Sequence, residues 1–266
     1  MTLTIPPGPL SSAPRDTANY RIDAPAHRLL LDPFPRRVRA VFAGKAVLDT
    51  TRAMLLHESN LLPQLYVPRE DVGEDLLRPS DRTTHCPFKG DARYWSVVAG
   101  DRTAQDAVWA YPEPLPAAEW LRGYVAPYWD PMDAWFDEDE EVFGHLRDPY
   151  HRVDARLSSW RVQVLADGEV VAETRRPVLL SETGLPNRFY IPLADVRSEV
   201  LELSATHSVC PYKGTASYRS LHTPSGIVED AAWFYPEPMD GVRGIAGLLC
   251  FAADGVEIRV DGRPAR

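Results

Sequence analysis

The pentapeptide Cys86-Pro87-Phe88-Lys89-Gly90 recurs as Cys210-Pro211-Tyr212-Lys213-Gly214, and its residue types suit the presentation of a lysine. Proline fixes φ ahead of the aromatic residue, and glycine permits a tight turn behind the lysine. A lysine held among aromatic groups can serve as the cation for a carboxylate or phosphate, or lose its proton if desolvated. Glu58 and Glu182 stand two residues past the apolar pairs Leu55-Leu56 and Leu179-Leu180, where strand alternation turns them inward. An inward carboxylate must be paired or protonated, and the lysine of the turn is an available partner. Tyr66, Tyr94, Trp109 and Tyr111 in one copy, and Tyr190, Tyr218, Trp233 and Tyr235 in the other, would line an aromatic pocket for a small ligand. Cys86 and Cys210 complete the candidate set. Two plainer roles compete. The lysine caps a turn while Cys-Pro packs inside, and aromatic residues at alternate strand positions form ordinary core.

Other chemistries find less support. His85 precedes Cys86, but Val209 stands before Cys210, so a Cys–His pair is not common to both copies. The three cysteines are scattered without a Cys-x-x-Cys pair, which argues against a disulfide framework and structural zinc. No Gly-rich phosphate loop, nucleophile elbow or His-Glu-x-x-His occurs. No metal site and no cofactor are expected. A formal charge of −9 disfavours a duplex nucleic-acid partner, whose phosphates need a basic face. No stretch approaches the roughly 20 apolar residues of a membrane span. The expected setting is cytoplasmic.

The elements that must position these residues come in two copies. A shift of 124 positions places Gly44 on Gly168, and the match runs without a gap to Pro238. HCPFKGDARYWS falls on VCPYKGTASYRS, and DAVWAYPEP on DAAWFYPEP. Such a period is too long for a solenoid unit, so each copy is a domain with its own core. The alternation around Ala43-Gly44 and Asp167-Gly168 predicts a hairpin in each copy. QLYVP and RFYIP are short strands ended by proline, and ARYWSVVAG and AVWAYPEP read as two more. AAEWLRGYVAPYW and LADVRSEVLEL hint at short helices. The expectation is two tandem, mainly β domains of about six to eight strands each, with few short helices.

The Pro- and Ser-rich residues 1–18 read as a disordered lead-in, followed by copy 1 over 19–148 and copy 2 over 149–266. Arg152-Val153-Asp154 echoes Arg21-Ile22-Asp23 and puts the start of copy 2 near Pro149. Copy 1 continues into an aromatic and acidic tail with Tyr124, Tyr128, Trp129, Asp130 and Trp135, which copy 2 lacks. That tail makes copy 1 the better-equipped site, or else packs against copy 2 in an intramolecular contact between the repeats. The run Asp137-Glu138-Asp139 reads as a solvated linker or helix face, with divalent-ion binding a weaker option.

HCPFKGDARYW, AVWAYPEPLP, YVPREDV and GYVAPYWDPMDAWFDEDEEVFGHLRDPYHRVD resemble the DUF427 family of bacteria and fungi, to which no function is assigned. Copy 1 matches almost end to end; copy 2 matches through VCPYKGTASY and AAWFYPEP. The resemblance implies a bacterial protein with a compact β-tent-like fold, similar to the thalidomide-binding domain of cereblon and to methionine sulfoxide reductase B. The structural zinc of many β-tent proteins does not carry over, for want of cysteine pairs. The family is also labelled nucleotidyltransferase-like, but no Gly-Ser turn with paired aspartates is present. The leading expectation is a binding module, or an enzyme, for a small polar metabolite held by the Glu/Lys pair. A structural or protein-interaction module without a ligand is the alternative, and a divalent-metal-dependent nucleotide enzyme is the third.

Overall fold

The protein is described from a computed structural model, over Asn19 and residues 24–265. The lead-in 1–18 and the segment Arg21-Ile22-Asp23 lie outside the described residues. The chain divides into two compact units, residues 1–150 and 151–266.

Unit 1 contains, in order, β1 (Leu29–Pro33), β2 (Val38–Phe42), β3 (Lys45–Thr50), β4 (Met54–Glu58), β5 (Gln64–Pro68), β6 (Leu77–Cys86), β7 (Gly90–Ala99), β8 (Arg102–Ala110), β9 (Tyr124–Pro127), β10 (Ala134–Asp137) and β11 (Glu140–Val142). A seven-stranded antiparallel sheet has the order β1-β4-β5-β9-β8-β7-β6, and a four-stranded sheet has the order β11-β10-β2-β3. Alternation along the strands explains why the large sheet is buried on both faces. Leu55, Leu65, Val67, Val108 and Ala110 point into a core shared with Val38, Ala40, Phe42, Val47 and Leu48 of the small sheet. Their chain neighbours Leu56, Tyr66, Trp109 and Tyr111 point the other way, into a second core closed by Ala118 and Leu121 of the 3-10 segment Pro116–Leu121. The candidate residues belong to this second face.

Unit 2 repeats the plan with β12 (Val153–Leu157), β13 (Val162–Ala166), β14 (Glu169–Thr174), β15 (Val178–Glu182), β16 (Arg188–Ile191), β17 (Leu201–Cys210), β18 (Gly214–Thr223), β19 (Gly226–Phe234), β20 (Leu249–Phe251), β21 (Val256–Val260) and β22 (Arg263–Pro264). Its sheets have the orders β12-β15-β16-β20-β19-β18-β17 and β14-β13-β21-β22, element for element those of unit 1. Both hairpin turns use two left-handed residues, Ala43 (φ 49°) with Gly44 (φ 71°) and Asp167 (φ 50°) with Gly168 (φ 78°), as the twist of a two-residue hairpin requires. Not every repeated polar residue serves a site. Thr50 Oγ1 donates to Asp71 at 2.6 Å with Arg52 on the same carboxylate, and Thr174, Arg176 and Asp195 form the same clip.

Several expectations are corrected. Each unit has eleven described strands rather than six to eight: the large sheet alone takes seven, and the C-terminal segment adds two to the hairpin of the small sheet. LADVRSEVLEL is not a helix: two 3-10 turns, Leu193–Asp195 and Ser198–Val200, lead into β17. AAEWLRGYVAPYW is 3-10 over Pro116–Leu121 and then β9. The acidic run is neither linker nor helix but the hairpin between β10 and β11. Asp137 takes Arg36 at 2.6 and 2.7 Å, Glu138 accepts the Arg37 backbone N–H at 2.9 Å, and Asp139 accepts from Arg39 at 3.1 Å. The second repeat also begins in a different register: β12 starts 124 residues after β1, so Arg152 corresponds to Arg28 rather than Arg21.

Candidate functional site

The Cys-Pro-aromatic-Lys-Gly turn joins the long strands β6 and β7, or β17 and β18. The Lys89 N–H donates to the Cys86 carbonyl at 3.3 Å, and Lys213 N–H to Cys210 at 3.2 Å, so proline occupies the second position of a four-residue turn. The lysine carbonyls in turn accept from Leu115 and Met239 N–H at 3.0 Å. Gly90 and Gly214 have φ of 102° and 106°, and a Cβ on either would stand 3.2 Å from the carbonyl of Glu113 or Glu237. Only glycine fits where the turn is pinned to the following segment.

Held this way, Lys89 points at Glu58 on β4 and their charged groups touch; Lys213 Nζ donates to Glu182 Oε2 at 2.5 Å. Sequence reasoning missed the third member of each set. His27 Nε2 lies 2.8 Å from Glu58 Oε1, and His151 Nε2 lies 3.0 Å from Glu182 Oε1. The aromatic residue of the turn packs on that imidazole: Phe88 stacks on His27 at 3.6 Å between centroids, and Tyr212 lies 4.3 Å from His151. The turn thus holds two partners of the glutamate, one by its lysine and one through its aromatic ring. Burial would raise the pKa of Glu182, but the hydrogen bonds from His151 and Lys213 outweigh it and hold the carboxyl at about 2. An ionised carboxylate only accepts, so Nε2 of His151 carries a proton directed at it.

The aromatic candidates gather around each pair. Trp233 Nε1 donates to the Tyr190 hydroxyl at 3.1 Å, Tyr218 shares a 2.8 Å hydrogen bond with Ser208, and the Tyr218 and Trp233 rings are 6.5 Å apart. In unit 1 Tyr66 meets Trp109 edge-on at 6.4 Å, Tyr94 shares a 2.8 Å hydrogen bond with Thr84, and Lys89 Nζ lies 5.9 Å from the Tyr111 ring. Burial raises the pKa of Tyr66, Tyr111, Tyr190 and Tyr235, so these phenols keep their protons. Cys86 and Cys210 are half-buried free thiols packed against the second core.

Glu182, Tyr190, Lys213, Tyr218, Trp233 and Tyr235, with Leu180, Leu185 and Arg188, line a cavity of about 260 Å³ in unit 2. Cys210 is not part of that lining. In unit 1 Glu58, Lys89, Tyr94, Trp109 and Tyr111 are each less than one-tenth exposed, and the Tyr128 ring lies 4.3 Å from Trp109. The residue matching Tyr128 is Ala252: Tyr128 N–H donates to Ala107 at 2.8 Å, and Ala252 N–H to Ala231 at 3.2 Å. With a methyl group in place of a phenol, Trp233 stays partly exposed. The aromatic residues of the tail pack within unit 1, where Tyr128, Trp129, Asp130 and Trp135 also line a cavity of about 210 Å³ with Leu55 and Gln64. Trp129 stacks on Trp135 at 4.5 Å, and both pack on the first core.

Among the described residues no group of three or more histidine, cysteine or acidic side chains converges as a metal site would require, and no helix is long and apolar enough to cross a membrane. Comparison with curated proteins returned no match. Residues 30–138 and 154–262 each match the profile of a domain of unknown function, DUF427, and the chain belongs to that family as a tandem member carrying two copies of the domain.

Proposed function

We propose that this protein binds a small polar metabolite, and that the binding site is the cavity of unit 2. The observation that carries the reading is the cavity itself, lined mostly by residues that the two copies share around a Glu–Lys pair. Its volume of about 260 Å³ lies just below the roughly 300–1,000 Å³ of ordinary ligand clefts, which suits a small ligand, and its walls combine aromatic faces with a few convergent polar groups. Lys213 and His151 hold Glu182 as an acceptor of fixed position, which suits orientation of a ligand hydroxyl or amide. A carboxyl held at about 2 is poorly matched to proton transfer near neutral pH, where the effective acid or base has a pKa near the working pH. Binding is favoured over acid–base catalysis by this group.

A thermal-shift screen of small polar metabolites on the full chain tests the proposal, repeated on Ala252→Tyr, which imports the ring that covers Trp109 in unit 1. A ligand at one hundred times its Kd raises apparent stability by about 2.7 kcal/mol. The expected result is stabilisation of the wild type by a ligand that leaves Ala252→Tyr unshifted. Absence of any ligand across such a screen, or equal shifts in the variant, would overturn it and leave the interaction-module alternative.

A further inference from the structure

We infer that the ligand of the unit 2 cavity is a small carboxylate on a flat ring, with Arg188 as its counter-ion. The inference rests on the binding reading above and deepens it. Arg188 opens β16 and lines the cavity, where its guanidinium lies 5.8 Å from the Trp233 ring. Arg161 is paired with Glu173, Arg176 with Asp195, and Arg197 with Glu169 and Glu199, whereas Arg175, Arg188, Arg219 and Arg263 have no ion pair among the described residues; of these four only Arg188 lines the cavity. Among the described residues no carboxylate comes within ion-pair distance of Arg188. Lys213 and Glu182 cancel each other, so Arg188 leaves the lining one positive charge in excess.

That excess fixes the charge type. A guanidinium offers parallel N–H donors that match a carboxylate in two hydrogen bonds, and a desolvated aromatic wall strengthens the pairing. A phosphate monoester brings nearly two charges at neutral pH, while the second cation of the lining is already spent on Glu182. A monoanion fits better. Beside Arg188, the partly exposed Trp233 face and the inclined Tyr218 ring provide for a flat group, since aromatic surfaces favour offset or edge contacts. A neighbouring groove of about 530 Å³ also reaches Arg188; its Glu257 is paired with Arg259 at 2.7 Å, and the carboxylate of Asp254 turns an anion toward the cavity. Unit 1 has Gln64 at the position of Arg188, so the preference belongs to unit 2 alone.

Calorimetric titration of the full chain with benzoate and 3-phenylpropionate, with their amides, and with phenyl phosphate provides the test. The acids are expected to bind about tenfold or more tighter than the amides, the difference a charge-assisted pair supplies. Arg188→Gln, the residue of unit 1, is expected to erase that preference, Arg188→Lys to keep part of it, and Ala252→Tyr to block acids and amides alike. Equal binding of acid and amide, or an acid affinity indifferent to Arg188→Gln, would overturn the inference while the cavity stands. Phenyl phosphate binding about tenfold tighter than benzoate would overturn the choice of a monoanion. If no probe binds the wild type even at millimolar concentration, the inference falls, and the binding reading is decided by the metabolite screen alone.

Discussion

Glu182 is ionised at neutral pH because two donors reach it, and each donor is in turn fixed by the same turn. Replacing it by glutamine leaves Lys213 buried without its counter-charge, a change that in other proteins costs about 3–5 kcal/mol. The cost has a pH signature. The folded pKa of about 2 lies below the ordinary value of 4.5, so the carboxylate's contribution is complete above 4.5 and is lost as pH falls toward 2. The stability gap between wild type and Glu182→Gln, read from urea unfolding, should be constant from neutral pH to about pH 5 and narrow below it. His57 is the opposite case. It is fully buried and neither ring nitrogen has a hydrogen-bond partner. Burial holds its pKa below 6.5 against the upward pull of Asp148 and Asp32, with the Tyr150 ring 5.4 Å away. The unfolded chain then binds a proton that the folded chain refuses, so this residue costs stability progressively as pH drops below 6.5. His57→Leu is expected to match or exceed the wild-type melting temperature at neutral pH and to gain on it at about pH 5.

At the scale of elements, the Cys-Pro-aromatic-Lys-Gly turn is a hairpin end clamped to a later segment, and its glycine is the residue least open to change. Gly214→Ala sets a side chain at φ 106° and 3.2 Å from the Glu237 carbonyl. The expected loss is about 1–3 kcal/mol together with weaker ligand binding, because Lys213 shifts with the turn; melting and titration of the same variant check both. This turn and the hairpins were legible in the sequence because their determinants are local. The strands of the acidic tail were not. What makes Asp137, Glu138 and Asp139 a hairpin is pairing of β10 with β2 and the arginines at 36, 37 and 39, about 100 residues away in the chain. LADVRSEVLEL misled for a related reason. Leu193, Val196, Val200 and Leu203 fall at helical spacing, yet Leu193 and Leu203 are 43 % and 62 % exposed, so the spacing reflects no buried face.

Across the whole molecule, duplication followed by divergence explains both what the sequence revealed of the site and what it withheld. The Glu–Lys pair was visible because both members repeat inside conspicuous motifs. His27 and His151 obey the same 124-residue shift, as His27-Arg28 and His151-Arg152, but a two-residue match among variable strand residues was hidden by the stronger echo at Arg21-Ile22-Asp23. How much space each copy leaves at its site could not be read from the number of functional groups, since extra aromatic residues fill space as readily as they bind. Tyr128, which packs on Trp109 where unit 2 has Ala252, is one visible difference, and it can be reversed. Tyr128 is 37 % exposed, so Tyr128→Ala returns only part of a ring to water and should cost about 1–2 kcal/mol. Removing the phenol is expected to open a space beside Trp109, a counterpart of the unit 2 cavity with Gln64 in place of its arginine. Titration of Tyr128→Ala with an amide probe should then report two sites per chain where the wild type has one. The added site should not distinguish the amide from the acid, whereas the site in unit 2 should. One site per chain in the variant would mean that the pocket of unit 1 is closed by more than this ring.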